Sequence, residues 1–340
     1  MEHGDLGAPT LQAAPASREW TIRDIPRAVR LAFDLQKLGV AALGLTAAAA
    51  LYAAFWWLGN QTGERTAHRV FAVLGGILAT CVCVLFSGLV ARMATAQLLE
   101  ERRAGAAELR QFLRERGGTL LGIPLTFGAI ALLLLAAEGA LALLGSIPGI
   151  GPLLYSSSFL IAFLLSLAVV LTVVVHMVGA FLYPAIVSIR GVGAVGAMVE
   201  VVELARVKPL FLLLYELVAA AVGAVMTLIL GGAVWAGLGL TTWLARAIMD
   251  EGFEQTLASV PRFFEVFVRP FSKVIPLQPE PIEAAWHYDV SGMLLGASLM
   301  VVAVLTLVYP FVFFTSAGSI TYLILRSEPA DPERSIIEDL

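Results

Sequence analysis

Residues 155–183 read YSSSFLIAFLLSLAVVLTVVVHMVGAFLY. No Asp, Glu, Lys or Arg interrupts the run, and between its terminal tyrosines the single titratable side chain is His176. A helix of about 20 apolar residues, rising about 1.5 Å per residue, matches the roughly 30 Å hydrocarbon core of a bilayer. The stretch therefore predicts a transmembrane helix. Reading outward for the same signal gives five more: Leu38–Leu58, Val70–Met93, Thr119–Leu144, Leu210–Leu244 and Val290–Leu325. The whole chain of 340 residues is 59% hydrophobic and only 14% charged, against about 25% charged in soluble domains. So few charges cannot cover the surface of a water-soluble globule, and lipid must solvate much of it. The expected fold is an all-α polytopic transmembrane bundle of about six spans, with cytoplasmic amphipathic helices and a long outer hairpin. The first span begins too late to be a cleaved signal sequence and reads as a retained helix.

Orientation follows from Lys and Arg. With a cytoplasmic N-terminus, 16 of the 22 fall on inner segments, among them Arg23, Arg27, Arg30, Arg102, Arg103, Arg110, Arg206 and Lys208. Six fall outside, four of them in or beside one long loop, and long loops count weakly. Both termini are thus expected inside. Trp56, Trp57, Trp243 and Trp286 near outer boundaries and Trp20 near the inner one agree, because amphipathic rings favour the headgroup layer. The net charge of −4 offers no basic surface for nucleic acid.

The connections carry their own signals. Residues 1–17 are rich in Ala, Pro and Gly and are expected to form a disordered tail; residues 18–326 form the membrane domain, with an outer insertion at 247–287, and 327–340 a second cytoplasmic tail. From Thr21, with Asp24 as a capping partner, Ile22, Ile25, Val29, Phe33 and Leu38 recur opposite Arg23, Arg27 and Arg30. That pattern predicts one interfacial helix feeding the first span. Ala94–Gly117 predicts an extension of the second span, then a short amphipathic helix with Leu109, Phe112 and Leu113 on one side, stopped by Gly117. After Pro184 the chain passes Gly191, Gly193 and Gly196 into a second amphipathic stretch, Ala197–Val207, and meets Pro209 where it re-enters the bilayer.

The order of these parts resembles a known pattern. Ala96-Gln97-Leu98 and then Glu108-Leu109-Arg110-x-Phe112-x-Arg114 precede a span containing Pro124. Tyr183-Pro184-Ala185-Ile186, the glycine-rich step and Val207-Lys208-Pro209-Leu210 follow, and Ile320-Thr321-Tyr322-Leu323-Ile324-Leu325-Arg326 closes the last span. This is similar to uncharacterised bacterial polytopic inner-membrane proteins of the class that includes the membrane domain attached to some glycerophosphodiester phosphodiesterases. The resemblance covers residues 70–326 and implies residence in a bacterial inner membrane. It implies no hydrolytic activity, because the soluble phosphodiesterase domain is missing from it.

Ionisable groups inside a membrane are costly and are functional candidates by default. Three stand out: Glu138 toward the outer end of the third span, and His176 and Glu216 at similar depths near the inner ends of the fourth and fifth. A His176–Glu216 pair is possible, with Glu138 out of its reach. These groups support either a proton or cation relay or an interhelical hydrogen bond. No enzyme signature is present. His3, His68, His176 and His287 lack ligand spacing, Cys81 and Cys83 point to different sides of a helix, and the Gly191–Gly196 stretch has no preceding strand to make a nucleotide loop. No cofactor or metal is expected. Gly118 with Gly122, and Gly292 with Gly296, have the spacing that lets helices approach closely.

The last two spans are too long. Pro209–Met249 and Tyr288–Leu325 greatly exceed one bilayer crossing, so either Gly231-Gly232 and Pro310 break them or both project beyond the outer surface. Their connection carries Phe253, Phe263, Phe264, Phe267 and Phe271 with Arg262, Arg269 and Lys273, and reads as amphipathic. Residues near Leu238 and Leu294 are then expected to be shielded by protein. The leading expectation is a non-enzymatic membrane subunit or scaffold, surrounded by lipid and assembling with itself or with a membrane-protein partner. The alternative is a transporter or channel using Glu138, His176 and Glu216.

Overall fold

The computed structural model describes residues 20–148, 150–249, 251–261, 264 and 286–327. These form ten helices and no strand: α1 (Arg27–Ala32), α2 (Leu35–Gln61), α3 (Arg65–Leu99), α4 (Ala106–Gly145), α5 (Gly151–Gly179), α6 (Tyr183–Arg190), α7 (Ala194–Val207), α8 (Pro209–Met249), α9 (Glu251–Ala258) and α10 (Trp286–Ser327). The helices α2, α3, α4, α5, α8 and α10 are long and apolar enough to cross a membrane. The chain is a multi-pass membrane protein with an all-α fold, as the six apolar runs predict. The expected tails at 1–17 and beyond Ser327, and most of the outer insertion including Phe263, Phe267, Phe271 and its basic residues, lie outside the described residues.

The long helices form three antiparallel pairs, each registered by small residues that admit a bulky neighbour. Between α2 and α3, Gly44 faces Phe86, Phe55 faces Gly75, and Gly59 faces His68 and Phe71. A Cβ built on Gly44 would lie 2.3 Å from the Phe86 ring, so only glycine leaves room there. Between α4 and α5, Gly145 faces Tyr155, and the Phe127 and His176 rings lie 5.0 Å apart. Between α8 and α10, Gly223 receives Phe313 and Phe314. Such sockets are what lipid leaves as a route to association, since apolar surface gains little by moving from lipid to protein.

The described residues divide into two compact units. One takes in Ala91–Glu216 with the described residues before Pro26 and after Ser316; the other takes in Pro26–Val90 and Leu217–Ser316. The first unit has a fully buried core of Ile25, Ala94, Leu182, Ile186, Val187, Val201, Ile320, Tyr322 and Ile324. Nearly all of α6 is buried, and its Ser188 hydroxyl donates to Thr95 Oγ1 at 3.0 Å. The second unit has a core of Phe253, Leu257, Phe264 and Leu299, against which Trp235 and Leu238 are packed. There α9 folds back beside α8, held by Arg246 Nε donating to Glu254 Oε1 at 2.7 Å.

Several boundaries depart from the sequence expectation, each for a physical reason. The predicted interfacial helix is three pieces: a 3-10 turn at Ile22–Asp24, α1, and the start of α2. Thr21 N–H donates to Asp24 Oδ2 at 3.0 Å, Pro26 has no amide hydrogen to continue the turn, and Asp34 restarts the chain by accepting from Gln36 N–H at 2.9 Å. Gly117 does not stop a helix, because it lies buried inside α4, whose amphipathic start and third span are one continuous helix. The break falls earlier, at Glu101, whose φ of 51° is left-handed. Around it Arg92 Nε donates to Glu108 Oε1 at 2.9 Å and pairs with Glu100 at 3.0 Å, while Arg102 donates to Glu108 Oε2 at 2.6 Å. The hydrogen bond to Glu108 also raises the pKa of Arg102 above its ordinary value. The fourth span ends at Gly179 rather than Tyr183. Neither Gly231-Gly232 nor Pro310 breaks its helix: α8 runs 41 residues and α10 runs 42 without interruption.

Candidate functional site

The three intramembrane groups do not converge. Glu138 on α4 accepts from Ser166 Oγ on α5 at 2.8 Å, which fastens the middle of that pair. His176 sits against aromatic rings, Phe127 at 5.0 Å and Tyr183 at 6.2 Å, the latter stacked. Its Nδ1, the Tyr183 hydroxyl and Glu216 Oε1 are buried without a hydrogen-bond partner, and His176 and Glu216 do not bond each other. Of the glycines with helix-packing spacing, Gly118 has nothing within 4 Å of a built Cβ, and Gly122 faces Ala194 at 3.2 Å. A Cβ built on Gly292 would fall 2.4 Å from the Ser259 carbonyl oxygen, and one on Gly296 2.3 Å from the Phe264 ring. The surface of α10 carrying those two glycines is therefore occupied by the chain's own segment after α9. Leu238 is packed against the same cluster, whereas Leu294 is exposed.

A second polar constellation, which the sequence reading did not single out, lies where α6, α7, α8 and α10 meet within the first unit. Gly191 ends α6 with φ 61°, a conformation only glycine adopts without strain, and the chain turns by 117° into α7. That turn carries Glu200 on α7 back to Arg190 on α6, with Arg190 Nη1 to Glu200 Oε2 at 3.1 Å. The Tyr322 hydroxyl on α10 donates to the other oxygen, Glu200 Oε1. Between α7 and α8, the buried Lys208 donates from Nζ to the carbonyl oxygen of Leu325 at 2.8 Å. That bond takes up one of the last carbonyls of α10, which no helical amide reaches. Arg190, Glu200, Lys208 and Leu325 line an open cleft of about 280 Å³, completed by Glu203, Leu204, Val207 and Arg326.

The α2–α3 turn holds a further cleft, of about 310 Å³, lined by Gly59, Asn60, Gly63, Glu64, Arg65, His68 and Arg69. Among the described residues no group of three or more His, Cys, Asp or Glu side chains is placed to hold a metal ion. The signal that could have revealed the Tyr322 constellation is a tyrosine hydroxyl in the closing run, one helical turn before Arg326. Compared with family models, characterised proteins and solved structures, the chain matches none.

Proposed function

We propose that the chain is a non-enzymatic integral membrane subunit that assembles with a second copy of itself or with another membrane protein. The observation that carries this reading is the length and surface of α8 and α10. At 41 and 42 residues they reach roughly 61–63 Å. Even tilted by about 40° they extend well past a hydrocarbon core of about 30 Å. On their outer halves Leu240, Trp243, Ile248, Trp286 and Leu294 are exposed, and apolar patches of this extent mark interaction surfaces. The 16-to-6 split of Lys and Arg supports a cytoplasmic location for both termini, and the resemblance supports residence in a bacterial inner membrane. Photocrosslinking from Leu240 and Leu294 tests the reading, with adducts to a second polypeptide expected.

One observation favours a transporter or channel as the second reading. His176 Nδ1 and Glu216 Oε1 are buried and unpartnered within the spanning helices α5 and α8, and Tyr183 Oη is so just past the end of α5; inside a membrane such groups commonly mark ion or proton paths. The two readings separate in liposomes. For a scaffold, His176→Ala and Glu216→Gln should leave ion flux at the level of protein-free vesicles. A pH-dependent flux that the folded wild-type chain supports and His176→Ala abolishes would establish the transporter instead.

A further inference from the structure

We propose that the cleft between α7, the Arg190 end of α6, the Lys208 end of α8 and the Arg326 end of α10 binds a phosphate anion, carried by a phospholipid headgroup. The inference needs only that these helix ends lie at a membrane edge, whichever side that edge faces. Three cations, Arg190, Lys208 and Arg326, and two carboxylates, Glu200 and Glu203, line the cleft, leaving one net positive charge. Glu200 is engaged with Arg190 and Tyr322, so it holds that wall in place and does not pair with Arg326. Arg326 is exposed and makes no hydrogen bond or ion pair among the described residues. A guanidinium in that state presents a planar set of donors that matches phosphate oxygens two at a time.

The surroundings favour a lipid as the source. α7 buries Ala197 and Val201 on one side and exposes Val195, Val199 and Val202 on the other, a spacing of four and three residues that makes a single apolar stripe. The chain passes from α7 into the spanning helix α8 through one residue, Lys208, so the stripe is held at the depth where acyl chains begin. Leu204, Val207 and Leu325 give the cleft an apolar side next to its cations. A volume of about 280 Å³ is at the lower limit of ligand pockets, which begin near 300 Å³. That suits a headgroup whose tails remain in the bilayer.

Native mass spectrometry of the full chain in mild detergent, titrated separately with phosphatidylglycerol, phosphatidylcholine and inorganic phosphate, tests this. The wild-type chain should retain one phosphatidylglycerol in preference to phosphatidylcholine. Arg326→Gln should weaken that retention about tenfold with the melting temperature of the lipid-free chain unchanged. Arg114→Gln, which removes an exposed arginine outside the cleft, should leave it unaffected. If inorganic phosphate displaces the lipid at comparable concentration, the phosphate site stands and its natural occupant is a soluble phosphate. Equal retention of the two lipids would mean that binding follows the acyl chains rather than the anionic headgroup, and equal weakening by Arg326→Gln and Arg114→Gln would mean that it follows general charge alone; either result would overturn the proposal.

Discussion

Gly318→Leu is expected to destabilise the first unit by about 3 kcal/mol, the upper end of the usual overpacking range. A Cβ at Gly318 would fall 2.1 Å from the carbonyl oxygen of Phe181 and 2.8 Å from its carbon. Both are backbone atoms, so no rotamer change relieves the clash, and the remaining leucine atoms add to it. Relief requires the segment after α5 to move, which would displace the fully buried Leu182 beside it. Thermal or denaturant unfolding in bicelles measures the cost. Gly118→Ala is the matched control, because nothing lies within 4 Å of its Cβ. Removing a helix-interior glycine gains up to about 1 kcal/mol, so that variant should be neutral or stabilised. Equal losses from both substitutions would mean that α10 does not lie against residue 181.

Glu200→Ala should cost about 2–3 kcal/mol. Tyr322 is fully buried and its hydroxyl donates to Glu200, so removing the carboxylate strands a buried donor, which costs about 1–3 kcal/mol. Arg190 also loses its partner, yet its side chain is 42% exposed and water replaces most of that contact. The loss should therefore follow Tyr322 rather than Arg190. In a double-mutant cycle, Tyr322→Phe combined with Glu200→Ala should be no less stable than Glu200→Ala alone, whereas Arg190→Gln should couple to Glu200 by less than about 1 kcal/mol. Simple additivity of Glu200→Ala and Tyr322→Phe would show that the hydrogen bond contributes nothing.

The membrane architecture was legible because lipid imposes a local requirement. About 20 consecutive apolar residues are both necessary and visible, and every predicted span lies within a long helix or, for the fourth, runs a few residues past one. The helix ends were less legible. Gly117 reads as a stop by propensity, but the cost of one glycine, about 1 kcal/mol, is small beside the packing that keeps it buried inside α4. Pro184 lies one residue past the predicted end of the fourth span, and its missing amide hydrogen shifts the break to residues 180–182.

The polar constellation was hidden for a different reason. Glu200 and Tyr322 are 122 residues apart and Lys208 and Leu325 are 117 apart, so no window along the chain contains either pair. His176 and Glu216 illustrate the converse. Equal depth along two spans is readable from the sequence, but the rotation of each helix about its axis is not, and rotation decides whether two side chains meet. The α8–α10 pair combines both cases. Its excess length is plain in the sequence, whereas the folding back of α9 and the residues after it, which covers Gly292, Gly296 and Leu238 while leaving Leu294 exposed, depends on tertiary packing.

The most direct measurement of the central claim is photocrosslinking in native membranes, with a photoreactive residue placed singly at the exposed Leu240, Trp243 and Leu294, in the halves of α8 and α10 next to their connection, and at Leu133 on α4 as a reference. An assembling subunit predicts adducts of discrete higher mass, containing a second copy or one recurrent membrane protein, from the three α8 and α10 positions and not from Leu133. Adducts to lipid alone from all four positions, together with a single-chain particle mass in nanodiscs, would contradict it.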